Sequence, residues 1–217
     1  MDMMAIRRRV IMGSKKVRLP KEYREVDYIE GTGTQWIDTG LVGNINREWI
    51  VEFSDFDRNG ATYAGPFGIT ERNAKTAISC SSGVAVYCSF GNKTDVVYRE
   101  STNSYNAWAT SDIKKISISK NGVYRNDVQR ISAFTSLTYA ESATTMPLFA
   151  RKPNANTVDR LVKMKLYSFA CKDDGILIAD FVPCYRKSDG EIGMYDTVSK
   201  TFYTNAGTGT FLKGADV

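Results

Sequence analysis

A chain of 217 residues that is 42% hydrophobic and 24% charged has the make-up of an ordinary soluble globular protein. It contains no histidine, which excludes Ser-His-Asp and Cys-His catalysis, His-ligated zinc and the commonest general base, leaving carboxylates or lysines for any enzyme. The formal charge of +5 sits in the first 19 residues, where Arg7, Arg8, Arg9, Lys15, Lys16 and Arg18 face Asp2 alone, and the remainder balances 23 basic against 23 acidic residues.

Residues 1–18 therefore read as a basic arm that docks on a partner through those six side chains. Nucleic acid is a weaker expectation, because the body that follows has no basic excess to track phosphates. No apolar run is long enough for a membrane helix or for the core of a secretory signal, so synthesis in the cytoplasm without membrane insertion is expected.

From Leu19-Pro20 the sequence reads as one domain to residue 217, with apolar and polar residues alternating in short runs that end in Gly, Asn, Asp or Pro. This pattern predicts strands at 24–30, 35–39, 48–56, 61–69, 75–81, 84–90 and 94–99. Further strands follow at 112–120, 123–125, 146–151, 160–171, 176–183, 192–196 and 201–204. The clearest alternation sets Val162, Met164 and Leu166 against Lys163, Lys165 and Tyr167. Turns are expected at Ser82-Gly83, Asn121-Gly122, Asp173-Asp174-Gly175 and Ser188-Asp189-Gly190. Residues 132–143 read as a loop or a short helix. Strands without crossover helices imply antiparallel sheets, and this many of them close as a two-sheet sandwich.

Two long motifs, at the two ends of the body, carry a family resemblance. Tyr28-Ile29-Glu30-Gly31-Thr32-Gly33-Thr34-Gln35-Trp36-Ile37-Asp38-Thr39-Gly40 opens it. Asp180-Phe181-Val182-Pro183-Cys184, Asp189-Gly190-Glu191-Ile192-Gly193-Met194-Tyr195-Asp196 and the run from Phe202 to Phe211 close it. In these segments the chain resembles concanavalin A-like (laminin G-like) domains of bacteriophage, prophage and gut-bacterial proteins. The resemblance implies an all-β, antiparallel jelly-roll sandwich, a place on the virion, and non-enzymatic work as a host-surface carbohydrate-recognition or structural module. It also implies docking of the arm on other virion proteins and repetition in a homo-oligomer. Calcium sites of laminin G-like domains need convergent Asp and carbonyl oxygens, and no Asp cluster makes that case, so neither cofactor nor metal is expected. A bacterial cell-surface binding module is an alternative.

Sugar sites combine an exposed aromatic face with amides and carboxylates, a mixture found in residues 98–108, so Tyr98, Asn103, Tyr105 and Trp108 are the candidate ligand contacts, with Asn73 and Asn92 in other expected loops. Glu25 and Glu30 in Glu25-Val26-Asp27-Tyr28-Ile29-Glu30 mimic the carboxylate motif of a jelly-roll glycosidase, and are the residues a carbohydrate hydrolase would use. In such enzymes the motif lies on a central strand lining the cleft, whereas here it lies on the first strand, and exposed acids alternating with Val26, Tyr28 and Ile29 explain it better. Asp38-Thr39-Gly40 mimics an aspartic-protease motif but occurs once, and reads as a strand ending in an Asp-stabilised turn. The echoing Gly31-Thr32-Gly33-Thr34 and Gly207-Thr208-Gly209-Thr210 lack the Lys-Ser/Thr of a phosphate loop, and read as adjoining ends of a first-with-last strand pair. Cys80, Cys88, Cys171 and Cys184 have no metal spacing and read as buried thiols, with a Cys171–Cys184 bridge left open.

Overall fold

Strand alternation of this kind buries one side of each strand and wets the other, and the chain satisfies it with two stacked sheets. A computed structural model describes residues 19–80, 85–99, 108 and 110–217, of which 85 and 94–99 by backbone alone, and contains no helix among them. In chain order the strands are β1 (Tyr23–Glu25), β2 (Ile29–Thr32), β3 (Ile37–Val42), β4 (Arg47–Asp57), β5 (Ala64–Ile69), β6 (Lys75–Cys80) and β7 (Ala85–Gly91). Then come β8 (Lys93–Arg99), β9 (Lys114–Ser119), β10 (Gly122–Arg125), β11 (Val128–Ile131), β12 (Thr145–Leu148) and β13 (Arg151–Asn154). The last six are β14 (Thr157–Asp159), β15 (Lys163–Asp173), β16 (Ile176–Arg186), β17 (Ile192–Asp196), β18 (Thr201–Tyr203) and β19 (Leu212–Lys213).

The larger sheet runs β11-β10-β9-β4-β15-β16-β17-β18, with β1 beside β16, β2 beside β15 and β19 beside β2. The smaller runs β14-β13-β5-β6-β7-β8, with β3 joined to β5 through β12. All these pairings are antiparallel except the single β13–β5 contact. The sheets stack as a β-sandwich around one apolar cluster that reaches from Val26 to Phe211. Phe169 of β15 sits at its centre, with ring centroids 5.9 Å from Phe67 of the opposite sheet, 6.0 Å from Trp49 and 5.6 Å from Phe181.

Bulges adjust which side chains face this core. The alternation on β15 holds from Met164 to Tyr167, where one extra residue resets the register against β4 and turns Phe169 and Cys171 inward. On β4, Asp55 takes a positive φ of 52°, and Phe56 turns in beside Phe53. Both rings meet Trp108 edge-on at 5.4 Å.

The expected strand at 24–30 is two strands. Val26 turns inward, 1% exposed, to bridge Asp216, and the Asp27 N–H donates to the Ala215 carbonyl, so β1 and β2 pair with different neighbours. The two glycine-threonine segments do adjoin. Thr208 N donates to Thr34 O at 3.1 Å, Thr34 Oγ1 returns a bond to Thr208 O at 3.0 Å, and Gln35 Nε2 reaches Thr210 O at 3.1 Å. A Cβ on Gly207 would lie 2.2 Å from Thr34 O, which explains the glycine. The β9–β10 hairpin turns through Lys120-Asn121, one residue earlier than expected, since Gly122 already pairs with Ser119. The turn at Asp174-Gly175 forms with positive φ at both residues, and Gly190 N closes the 188–190 turn on Arg186 O. Ser82-Gly83 lies outside the described residues.

Residues 132–144 form neither helix nor strand. Their backbone bonds go to other loops: Ala140 N to Asn73 O, Asn92 N to Thr138 O and Phe134 N to Lys120 O. The four cysteines are free and buried. Cys171 pairs with Ala179, five positions along β16 from Cys184, a separation of roughly 17 Å against the roughly 4–7 Å that a disulfide spans. The bridge left open by the sequence is therefore ruled out.

Candidate ligand groove

The smaller sheet presents one side to the core through Phe67, Ile69, Ile78, Cys80, Val86, Cys88 and Phe90. On its other side the same strands carry mostly small residues: Gly68 on β5, Ala77 and Ser79 on β6, and Ser89 on β7. A shallow trough is the geometric result, because a floor of small side chains lies below the longer ones at its margins. The groove has a volume of about 520 Å³. Gly68 keeps the floor low: a Cβ there would come 2.9 Å from the Ala77 Cβ and 3.8 Å from the Arg151 Cγ.

Its margins are aromatic and basic. Tyr63, in the loop before β5, meets Tyr87 of β7 edge to face, with centroids 5.0 Å apart and planes at 89°. Arg160, between β14 and β15, takes a φ of +51° and places its guanidinium 6.0 Å from the Tyr63 ring centroid. Its Nη1 donates to the Tyr63 carbonyl at 2.6 Å. Arg151 of β13 pairs in register with Asp159 of β14; its Nε donates to Oδ1 at 2.7 Å and its Nη2 to Oδ2. Lys75 and Pro153 complete the walls, and among the described residues no Asp or Glu lines the groove. The described lining thus offers stacking surface, hydroxyls and cations.

A second cavity of about 350 Å³ lies where the tips of the β9–β10 and β15–β16 hairpins meet, lined by Asn46, Glu48, Lys120, Asn121, Tyr124 and Asp174 among others. Its lysine is already engaged, with Lys120 Nζ 2.8 Å from Asn46 Oδ1 and 3.5 Å from Asp174 Oδ1.

The contacts expected from the sequence lie elsewhere. Trp108 is a core residue, 0% exposed between Phe53 and Phe56, so its ring offers no face to a sugar, and that expectation is corrected. Tyr98 lies on β8 with its backbone opposite Val86, and its side chain is outside the description. Asn103 and Tyr105, like the arm with Arg7, Arg8, Arg9, Lys15, Lys16 and Arg18, lie outside the described residues. Asn92 spends its side-chain oxygen on Thr138 N at 3.1 Å. Glu25 pairs with Cys184 on β16, whereas Glu30 stands between Lys165 and Leu212; neither lines either cavity.

Asp38-Thr39-Gly40 was expected to end a strand in a turn, but it lies inside β3 as a bulge against β12, with Gly40 at a φ of +70° and its N–H donating to Asp38 Oδ1 at 3.1 Å. Its other oxygen holds Lys152 Nζ at 2.9 Å, a lysine only 5% exposed whose ammonium also lies 5.6 Å from the Trp36 ring. The groove residues themselves went unread in the sequence because Tyr63, Tyr87 and Arg160 come from three distant segments. The available signal was the run of small residues at alternate positions of β6. Searches against protein-family models, curated proteins and solved structures return no match for the chain.

Proposed function

We propose that the chain is a non-enzymatic recognition module: a jelly-roll sandwich of the concanavalin A-like type, borne on a phage virion through its basic arm, that binds a host-surface saccharide in the groove of the smaller sheet. The observation that carries this reading is the Tyr63–Tyr87 pair at the edge of a trough floored by small residues. A pyranose ring stacks its apolar face on an aromatic side chain and hydrogen-bonds its hydroxyls to polar groups around it. Tyr63 is 38% exposed, and Ser79, Ser89, Lys75 and Arg151 surround the same space. The volume falls within the roughly 300–1,000 Å³ usual for small-ligand sites.

The jelly-roll type and the virion rest on the two end motifs, and the pairing of β2 with β19 is consistent with them. A hydrolase working through Glu25 and Glu30 gains no support, since both lie away from the groove.

The test is a glycan array followed by titration. The wild-type protein should bind a defined saccharide, and Tyr87→Ala should weaken it by about tenfold, the equivalent of one lost stacking face worth roughly 1.4 kcal/mol. An array without hits overturns saccharide recognition. In parallel, deletion of residues 1–18 should abolish incorporation into particles, and unchanged incorporation overturns the docking arm.

A further inference from the structure

The charge in the groove is unlike that of the molecule around it. Fifteen described residues line it, three of them cations and none an anion, whereas the chain beyond the arm carries 23 basic and 23 acidic residues. Arg151 is neutralised by its two-pronged pair with Asp159. Lys75 and Arg160 line the trough, and neither has a carboxylate partner among the described residues.

Arg160 is also held ready. A tyrosine ring and a backbone carbonyl position it, and neither neutralises it. Of the five N–H donors of a guanidinium, one is engaged by the Tyr63 carbonyl among the described residues. Its left-handed backbone, unfavourable for a residue with a Cβ, persists where surrounding contacts over-determine it.

We infer that the groove takes an acidic saccharide, whose carboxylate or sulfate is bound by Arg160 while its ring stacks on the tyrosine pair, with Lys75, four residues along β6 from the position opposite Tyr87, adding positive charge farther along the trough. This rests on the saccharide reading above and names the ligand class for the same site. A nucleic-acid strand is the less suitable polyanion, because it needs a continuous track of cations, and the groove offers two.

The experiment uses the full chain and an array of matched acidic and neutral glycans, including sialyllactose with lactose and galacturonic acid trisaccharide with its methyl ester, with hits measured by titration. Oligo-dT serves as the competing polyanion. The acidic member of a pair should bind at least about tenfold more tightly, as a charge-assisted hydrogen bond implies, and the preference should fade at high salt. Arg160→Lys and Lys75→Gln should each shrink that preference severalfold with melting temperature unchanged; two separate variants guard against one failing to fold. Equal binding of neutral and acidic members overturns this inference and leaves saccharide recognition standing. An array without hits overturns both. Oligo-dT bound more tightly than every acidic glycan overturns the inference in favour of nucleic acid.

Discussion

Asp38 and Asp180 are partly buried carboxylates whose surroundings act in opposite directions. Burial pushes Asp38 up, but hydrogen bonds from Thr145, Lys152 and the Gly40 N–H together more than offset it, and the carboxyl lies below its usual range. A depressed carboxylate stabilises the fold above its unfolded value of about 3.9 and loses that contribution as pH falls through its folded value. Asp38→Asn should therefore cost about 1–3 kcal/mol at pH 7, where it strands the buried Lys152, and progressively less below about pH 4. Asp180 is raised, by burial first and then by neighbouring Asp196, against a lowering bond from Thr197. The sign reverses: its contribution is complete below the unfolded value and is lost as pH rises through the folded one. Asp180→Asn should stabilise the protein at pH 7 by less than about 1 kcal/mol and bring no gain below about pH 4. Thermal melts of both variants from pH 3 to 8 check the pair, and parallel pH profiles would contradict it. At this scale the sequence showed the local bond that Asp38 makes, though not that the strand runs on through it, and nothing of its lysine, which arrives from 114 residues away.

The segment 132–144 acts as a strap whose anchor is Tyr139. Its hydroxyl lies 2.7 Å from Thr76 Oγ1 and donates to the Ala74 carbonyl at 3.0 Å, while its ring meets Phe90 edge-on at 5.5 Å. Burial pushes this phenol up to about 12, so it remains a donor throughout the working range. Tyr139→Phe should cost about 1–2 kcal/mol in urea unfolding, since Thr76 is fully buried and loses its partner; an unchanged midpoint would show that the hydroxyl contributes nothing to the anchor. Elements were legible wherever one side faces the core, as on β4, β15 and β16. The strands β11, β13 and β14 escaped because Val128, Gln129 and Arg130, or Asn154 and Thr157, are exposed and show no apolar period. They form because Asn126 and Asp127, both at positive φ, turn the chain back, and because edge pairing satisfies their backbones. The groove escaped for a related reason. It is made of what strands lack on their outer side, and a contiguous polar-aromatic segment at 98–108 looked richer than a row of Gly, Ala and Ser.

At the scale of the whole molecule, sandwich architecture was readable because alternation, turn residues and the absence of helical periodicity agree on it, whereas the pairing of distant strands had only the echo of two glycine-threonine segments to announce it. That pairing brings the chain's entry and exit together: Val26 bridges Asp216, Asp27 N bonds Ala215 O, and Val217 N bonds Glu25 O. These bonds join antiparallel neighbours, so both leads depart from the same end of the seam. Tension between them peels the bonds apart one after another, as a zipper opens, whereas shear would load them all at once. A body tethered by its arm alone never feels that tension across the seam. Grafted by both leads into a loop of another protein, it would begin to come undone at the place where its two ends are sewn together.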